Sequence, residues 1–204
     1  MQLHENINKI AVIGTFGCGK STVVDDIKEE LKDSKASVQI IEEYPKKLFL
    51  SAPYNSLPTE QWPKEWYQEI QEKTIRGVIE EEKDLHPQKK LSIVESYWAN
   101  ILPYTILNFG EGHCLTSLVR KKLEETLDQT FYIYLSHQSI PLDTLNRHAD
   151  ISLRNIIAHQ IKDILTQNKA NYTSLDEDKN VRKNYIKELS ETILHSAHYE
   201  LLKS

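Results

Sequence analysis

The chain alternates between two hydrophobic rhythms. Short apolar runs occur at Lys9–Ile13, Val38–Ile41, Leu91–Val94 and Thr130–Leu135. Each is nearly continuous in apolar residues, the pattern of a strand buried on both faces. Asn171–Leu175 is a fifth, more polar candidate. Between them apolar residues recur every three or four positions, the helical period. Such stretches cover Ser21–Lys32, Thr59 or Lys64 to Lys83, Trp98–Asn108, Leu115–Leu127, Ile151–Asn168 and Val181–Leu202. The first sets Val23, Val24, Ile27 and Leu31 on one face. Residues 44–58, rich in Pro and Tyr, read as a loop, and Gly110–His113 as a surface turn. Strands alternating with helices predict an α/β protein, with a mostly parallel five-stranded sheet between two helical layers. No repeat, low-complexity tract or interdomain linker interrupts the 204 residues, so residues 1–204 are expected to form one domain.

Where the first strand gives way to the first helix, the sequence is Gly14-Thr-Phe-Gly-Cys-Gly-Lys20-Ser21. This matches G-x-x-x-x-G-K-[ST] in full, in the strand-loop-helix setting that its chemistry needs. Glycines allow positive φ, so successive N–H groups can turn inward onto phosphate oxygens. Gly14, Thr15, Phe16, Gly17, Cys18, Gly19, Lys20, Ser21 and Thr22 are the expected phosphate cradle. Lys20 would neutralise the outer phosphates, Ser21 would ligate Mg²⁺, Thr22 would help with the α-phosphate, and the helix N-terminus adds partial positive charge. By itself the loop predicts nucleoside triphosphate binding and leaves kinase, ATPase and GTPase open.

In an open parallel sheet, ligands sit beyond the carboxyl ends of the strands. The second strand ends in Glu42-Glu43 and the third in Glu95. A carboxylate after strand two can orient or deprotonate a substrate hydroxyl. One after strand three can hold Mg²⁺ opposite Ser21. Each acid alone could be a helix cap or a solvated loop charge; their recurrence at successive strand ends is better explained by one site.

Together these motifs resemble the P-loop nucleoside and nucleotide kinases, which include deoxynucleoside kinases, thymidylate kinase and nicotinamide riboside kinase domains. The resemblance spans nearly the whole chain and implies the three-layer P-loop NTPase fold with a LID segment at about 138–155. It implies ATP and Mg²⁺ as cofactors and a small-molecule acceptor as partner, with a homodimer compatible. Ile41–Leu48 is similar to the family's strand-two motif, which makes Glu43 the candidate general base and Glu42 the alternative. Ile93-Val-Glu95-Ser96-Tyr97 is similar to the third-strand motif, but Ser96 stands where the family has arginine. The following Trp98–Tyr104 resembles the helix lining the acceptor pocket. Trp66, Gln71 and Tyr97 are implied substrate contacts, Trp66 by stacking and Gln71 by reading an edge. Arg147 and Arg154, seven residues apart, resemble LID arginines that close over the transferring phosphoryl group; Arg182 resembles a residue beside the adenine.

Composition narrows the field. Twenty-five Lys and Arg against 30 Asp and Glu give a net charge of −5, so no overall charge draws the chain to nucleic acid or an anionic membrane. Two cysteines make neither a disulfide framework nor a metal site, and the eight histidines show no zinc spacing. Residues 1–9 carry no apolar signal region, and no run is long enough to span a bilayer, so the cytoplasm is expected. The expected activity is transfer of the γ-phosphoryl group of ATP to a nucleoside, a nucleoside monophosphate or a similar hydroxyl compound. The rival is a nucleotide-gated regulatory ATPase with no metabolite acceptor; no guanine-reading motif or typical Walker B strand favours it.

Overall fold

The structure, a computed structural model, describes residues 6–32, 38–57, 59–83, 91–136, 151–175 and 178–201. At its centre lies β1 (Lys9–Ile13), every residue of which is buried. Around it, β2 (Val38–Ile41), β3 (Leu91–Glu95), β4 (Thr130–Leu135) and β5 (Asn171–Leu175) complete a sheet of order β2-β3-β1-β4-β5. All of the pairings are parallel, so the sheet expected to be mostly parallel is wholly so. Ile10 lies opposite Ile93 on one side and Phe131 on the other.

The strand pleat sorts the core into two halves. Ile10 and Val12 face a core shared with α1 (Lys20–Leu31) and α7 (Lys179–Leu201), through Val23, Ile27, Ile186 and Leu189. Ala11 and Ile13 face the opposite core, built from α3 (Lys64–Lys83), α4 (Trp98–Phe109), α5 (Cys114–Thr126) and α6 (Ile151–Gln167). With apolar partners on both faces, β1 can only be a continuous apolar run. At the far end of this second half, Glu82 accepts hydrogen bonds from the Tyr97 hydroxyl and from Trp98 Nε1.

One helix lies where the sequence predicted a loop. α2 (Tyr44–Phe49) has Pro45 in its first turn, where a residue without an N–H costs nothing. Gly77 of α3 lets α2 come close, because a Cβ there would overlap the Tyr44 ring. A 3₁₀ turn at Thr59–Gln61 precedes α3, which begins at Lys64, the later of the two expected starts. Near it Tyr54, Trp62 and Ile70 form a small satellite core, joined by Trp66 and Tyr67. Among the described residues, no helix is long and apolar enough to cross a membrane.

Candidate active site

The loop between β1 and α1 is built on glycine. Gly14, Gly17 and Gly19 have φ of 148°, 72° and 92°. A Cβ on Gly14 would lie 2.7 Å from both the Leu135 carbonyl and Cys18 Sγ, so the loop curls over itself with no room for a side chain. Lys20 folds back across the curl, its Nζ donating to the Gly14 carbonyl at 3.2 Å and the Thr15 carbonyl at 3.1 Å. The Thr15 hydroxyl is buried and has no partner among the described residues. Cys18 is fully buried, and burial pushes its thiol up, which keeps it protonated and unreactive.

Two contacts anchor the loop from opposite layers. The Gly14 N–H donates to Asn100 Oδ1 of α4 at 2.9 Å. From α7, Arg182 Nη1 donates to the Cys18 carbonyl at 3.0 Å.

The strand-end acids meet the loop. Ser21 Oγ donates to Glu95 Oε1 at 2.6 Å, which brings two hard oxygen donors together at the carboxyl ends of β1 and β3. Glu43 Oε1 accepts from Ser96 Oγ at 3.0 Å and lies 3.8 Å from Lys20 Nζ. Ser96 adopts φ 62°, a left-handed conformation that few non-glycine residues take. Glu42 turns away: it is exposed and pairs with Lys28 at 3.2 Å. Of the two candidates for the base, Glu43 alone reaches the site.

Beside Glu43 opens a cavity of about 180 Å³. Its walls include Phe16 of the loop, Tyr44 of α2, Gln71 of α3 and Tyr104 of α4. Phe16 and Tyr104 pack with ring centres 5.1 Å apart, so the glycine loop forms part of the cavity wall. Gln71 Nε2 donates to the Ile101 carbonyl at 3.2 Å and to Thr105 Oγ1 at 2.8 Å. Thr105 gives its own proton to that same carbonyl, so both groups facing the amide are acceptors and its orientation is fixed. Any ligand that meets Gln71 therefore meets its carbonyl oxygen. The Tyr104 hydroxyl is held well above its usual range by burial first and the Glu43 charge next, with the Arg154 charge opposing.

Arg154 stands on α6, next to Leu153 of the cavity wall. It is buried, and its Nε and Nη2 have no partner among the described residues. Arg147 and most of the expected LID lie outside the described residues. Thr22 is exposed on α1.

Two implied substrate contacts fall elsewhere. Trp66 sits edge-on to Tyr54 and Trp62 in the satellite core and does not line the cavity; its neighbour Tyr67 does. Tyr97 is buried, with its hydroxyl committed to Glu82, and also lies off the cavity wall. Sequence reasoning passed over Asn100 and the Ser96–Glu43 bond. The signal for Asn100 was present: an amide in the apolar run Trp98-Ala-Asn-Ile-Leu must find a polar partner once buried.

No protein-family model matches the chain, and no curated protein matches it in sequence. Solved structures do match. One is thymidylate kinase from Ehrlichia chaffeensis, with a TM-score of 0.60 and 16% identity over 92% of this chain and 98% of that one. At that identity the likeness speaks to architecture: the chain has the three-layer, all-parallel α/β fold of the P-loop kinases.

Proposed function

We propose that the protein is an ATP-dependent phosphotransferase that moves the γ-phosphoryl group to a small hydroxyl acceptor of the nucleoside or nucleotide class. One observation carries this reading: Glu43 stands in the wall of a cavity lined mainly by apolar and aromatic side chains, and within 3.8 Å of Lys20 Nζ. A hydrolytic switch needs a water beside its γ-phosphate; a walled chamber with a carboxylate at the junction suits an organic acceptor better. The solved neighbour, named a thymidylate kinase, supports the same class.

In this mechanism Lys20 and the loop amides hold the triphosphate, as preorganised charge where negative charge is greatest. Glu43 orients the acceptor hydroxyl and takes its proton as the oxygen bonds to the γ-phosphorus. The bond from that phosphorus to the β–γ bridging oxygen breaks, and ADP leaves. Arg154, whose Nε and Nη2 have no partner among the described residues, and Arg147 would meet the equatorial oxygens of the group in transit. The paired oxygens of Ser21 and Glu95 fit Mg²⁺, which accepts few protein ligands and completes its shell with water and phosphate. When bound there, the ion would neutralise charge on the outer phosphates.

The test is ADP release from ATP, with and without a panel of nucleosides and their monophosphates. Release that depends on an acceptor and falls at least ~10²-fold in Glu43→Gln is expected. Acceptor-independent hydrolysis, equal in wild type and Glu43→Gln, would overturn the reading in favour of the regulatory ATPase.

A further inference from the structure

The cavity wall also bears on which acceptor it takes. Of the eighteen described residues lining it, Glu43 alone carries a charge, and that charge is negative. Facing it are apolar and aromatic side chains such as Phe49, Tyr67, Ile70 and Val78, with neutral polar groups at Gln71 and Asn108. Asn108 Nδ2 is committed to the Tyr104 carbonyl. The described cations about the loop lie outside the wall: Lys20 is held by the Gly14 and Thr15 carbonyls, Arg182 donates to the Cys18 carbonyl, and Arg154 follows Leu153. Lys20 and Arg154 serve the triphosphate in the proposed mechanism.

A phosphomonoester entering this cavity would bring between one and two negative charges to a carboxylate, with no cation among the described residues of the wall to receive them. Water would be stripped from the anion without replacement, and like charges would be forced together. An uncharged acceptor incurs neither cost. Its flat apolar body can lie between the aromatic walls, while its hydroxyl reaches Glu43.

Resting on the phosphotransfer reading, we infer that the acceptor is uncharged: a nucleoside-like hydroxyl compound, with its own monophosphate excluded. This separates the chain from the activity for which its solved neighbour is named, since thymidylate already carries a phosphate.

The experiment is calorimetric binding to the intact protein, saturated with a non-hydrolysable ATP analogue and Mg²⁺, of each common nucleoside and its 5′-monophosphate. For at least one pair, the nucleoside is expected to bind ~10-fold or more tightly than its monophosphate. In Glu43→Gln, which keeps the shape and removes the charge, that gap is expected to narrow at least ~3-fold. A monophosphate that binds as tightly as its nucleoside overturns the inference. So does a gap unchanged in Glu43→Gln, or a cavity that takes no member of any pair. Binding is read without turnover, so a protein that binds a nucleoside but never releases ADP fails as a kinase and still passes here.

Discussion

Ser96 Oγ donates to Glu43 Oε1 at 3.0 Å, and Ser96 holds a left-handed backbone to do so. The serine stands at the position where arginine was implied by resemblance, and it positions the carboxylate nearest the phosphate-loop lysine. Ser96→Ala is expected to lower kcat by roughly 10- to 100-fold, the scale of one lost hydrogen bond to a charged group. KM for ATP should stay within about twofold, because the hydrogen bonds given by Ser96 go to Glu43 and Val12 and not to Gly14–Thr22. Ser96→Gly separates the two roles of the residue. It accepts φ 62° without strain but has no hydroxyl, so it should lose as much turnover as the alanine variant while folding at least as stably. Steady-state kinetics beside thermal melting would check both, and full activity in Ser96→Gly would remove the hydroxyl from the mechanism.

Lys20→Ala should abolish nucleotide-induced stabilisation. A ligand at 100 times its Kd adds about 2.7 kcal/mol to a native state, readily seen as a rise in Tm. Wild type should show that rise with ATP and Mg²⁺, and Lys20→Ala should melt alike with and without them. A preserved shift would mean that the loop amides alone suffice.

The two cysteines should differ sharply in reactivity. Cys18 is buried under the loop with its thiol pushed up by burial, whereas Cys114 is exposed at the start of α5. A raised pKa means less thiolate at neutral pH, and burial blocks access besides. Iodoacetamide at neutral pH should therefore label Cys114 alone, with Cys18 labelled only after denaturation. Mass spectrometry of the digested protein reads this directly. Rapid native labelling of Cys18 would contradict the packing of the loop.

Gly77→Ala tests how α2 is held. The new Cβ would overlap the Tyr44 ring, and ring and helix must shift together. Tyr44 neighbours Glu43 in the chain and lines the cavity. Acceptor KM should rise several-fold, with smaller change in ATP binding. Circular dichroism should show the fold retained.

Much of this was legible in the sequence. β1, β2, β4 and β5 match their predicted bounds; for β1 and β4 the reason is burial on both faces, which leaves no freedom to alternate polar residues. The strand-loop-helix setting of Gly14–Ser21 and its positive-φ glycines were legible because the motif ties those residues to that backbone. α2 was missed because Pro45 and Pro53 read as breakers, although proline is tolerated in a first helical turn. Trp66 and Tyr67 show another limit. Neighbours on a helix differ by about 100° in direction, so one residue of register decides which of the two satellite-core aromatics also lines the cavity. Tyr97 went to Glu82 for a reason that no local pattern displays: its partner is fifteen residues back, across a helix packing that only the fold creates. Asn100 reached Gly14 in the same long-range way.

That last contact makes a tether of the bond between Gly14 and Asn100. The first peptide of the glycine loop hangs from a helix that walls the cavity, so a shift of one bears on the other. In the proposed mechanism triphosphate and acceptor would then be thermodynamically linked: whatever factor one ligand applies to the affinity of the other must be returned in equal measure. A chamber that fills first would set the loop for the nucleotide, and order of arrival would become a matter of concentration rather than of obligation.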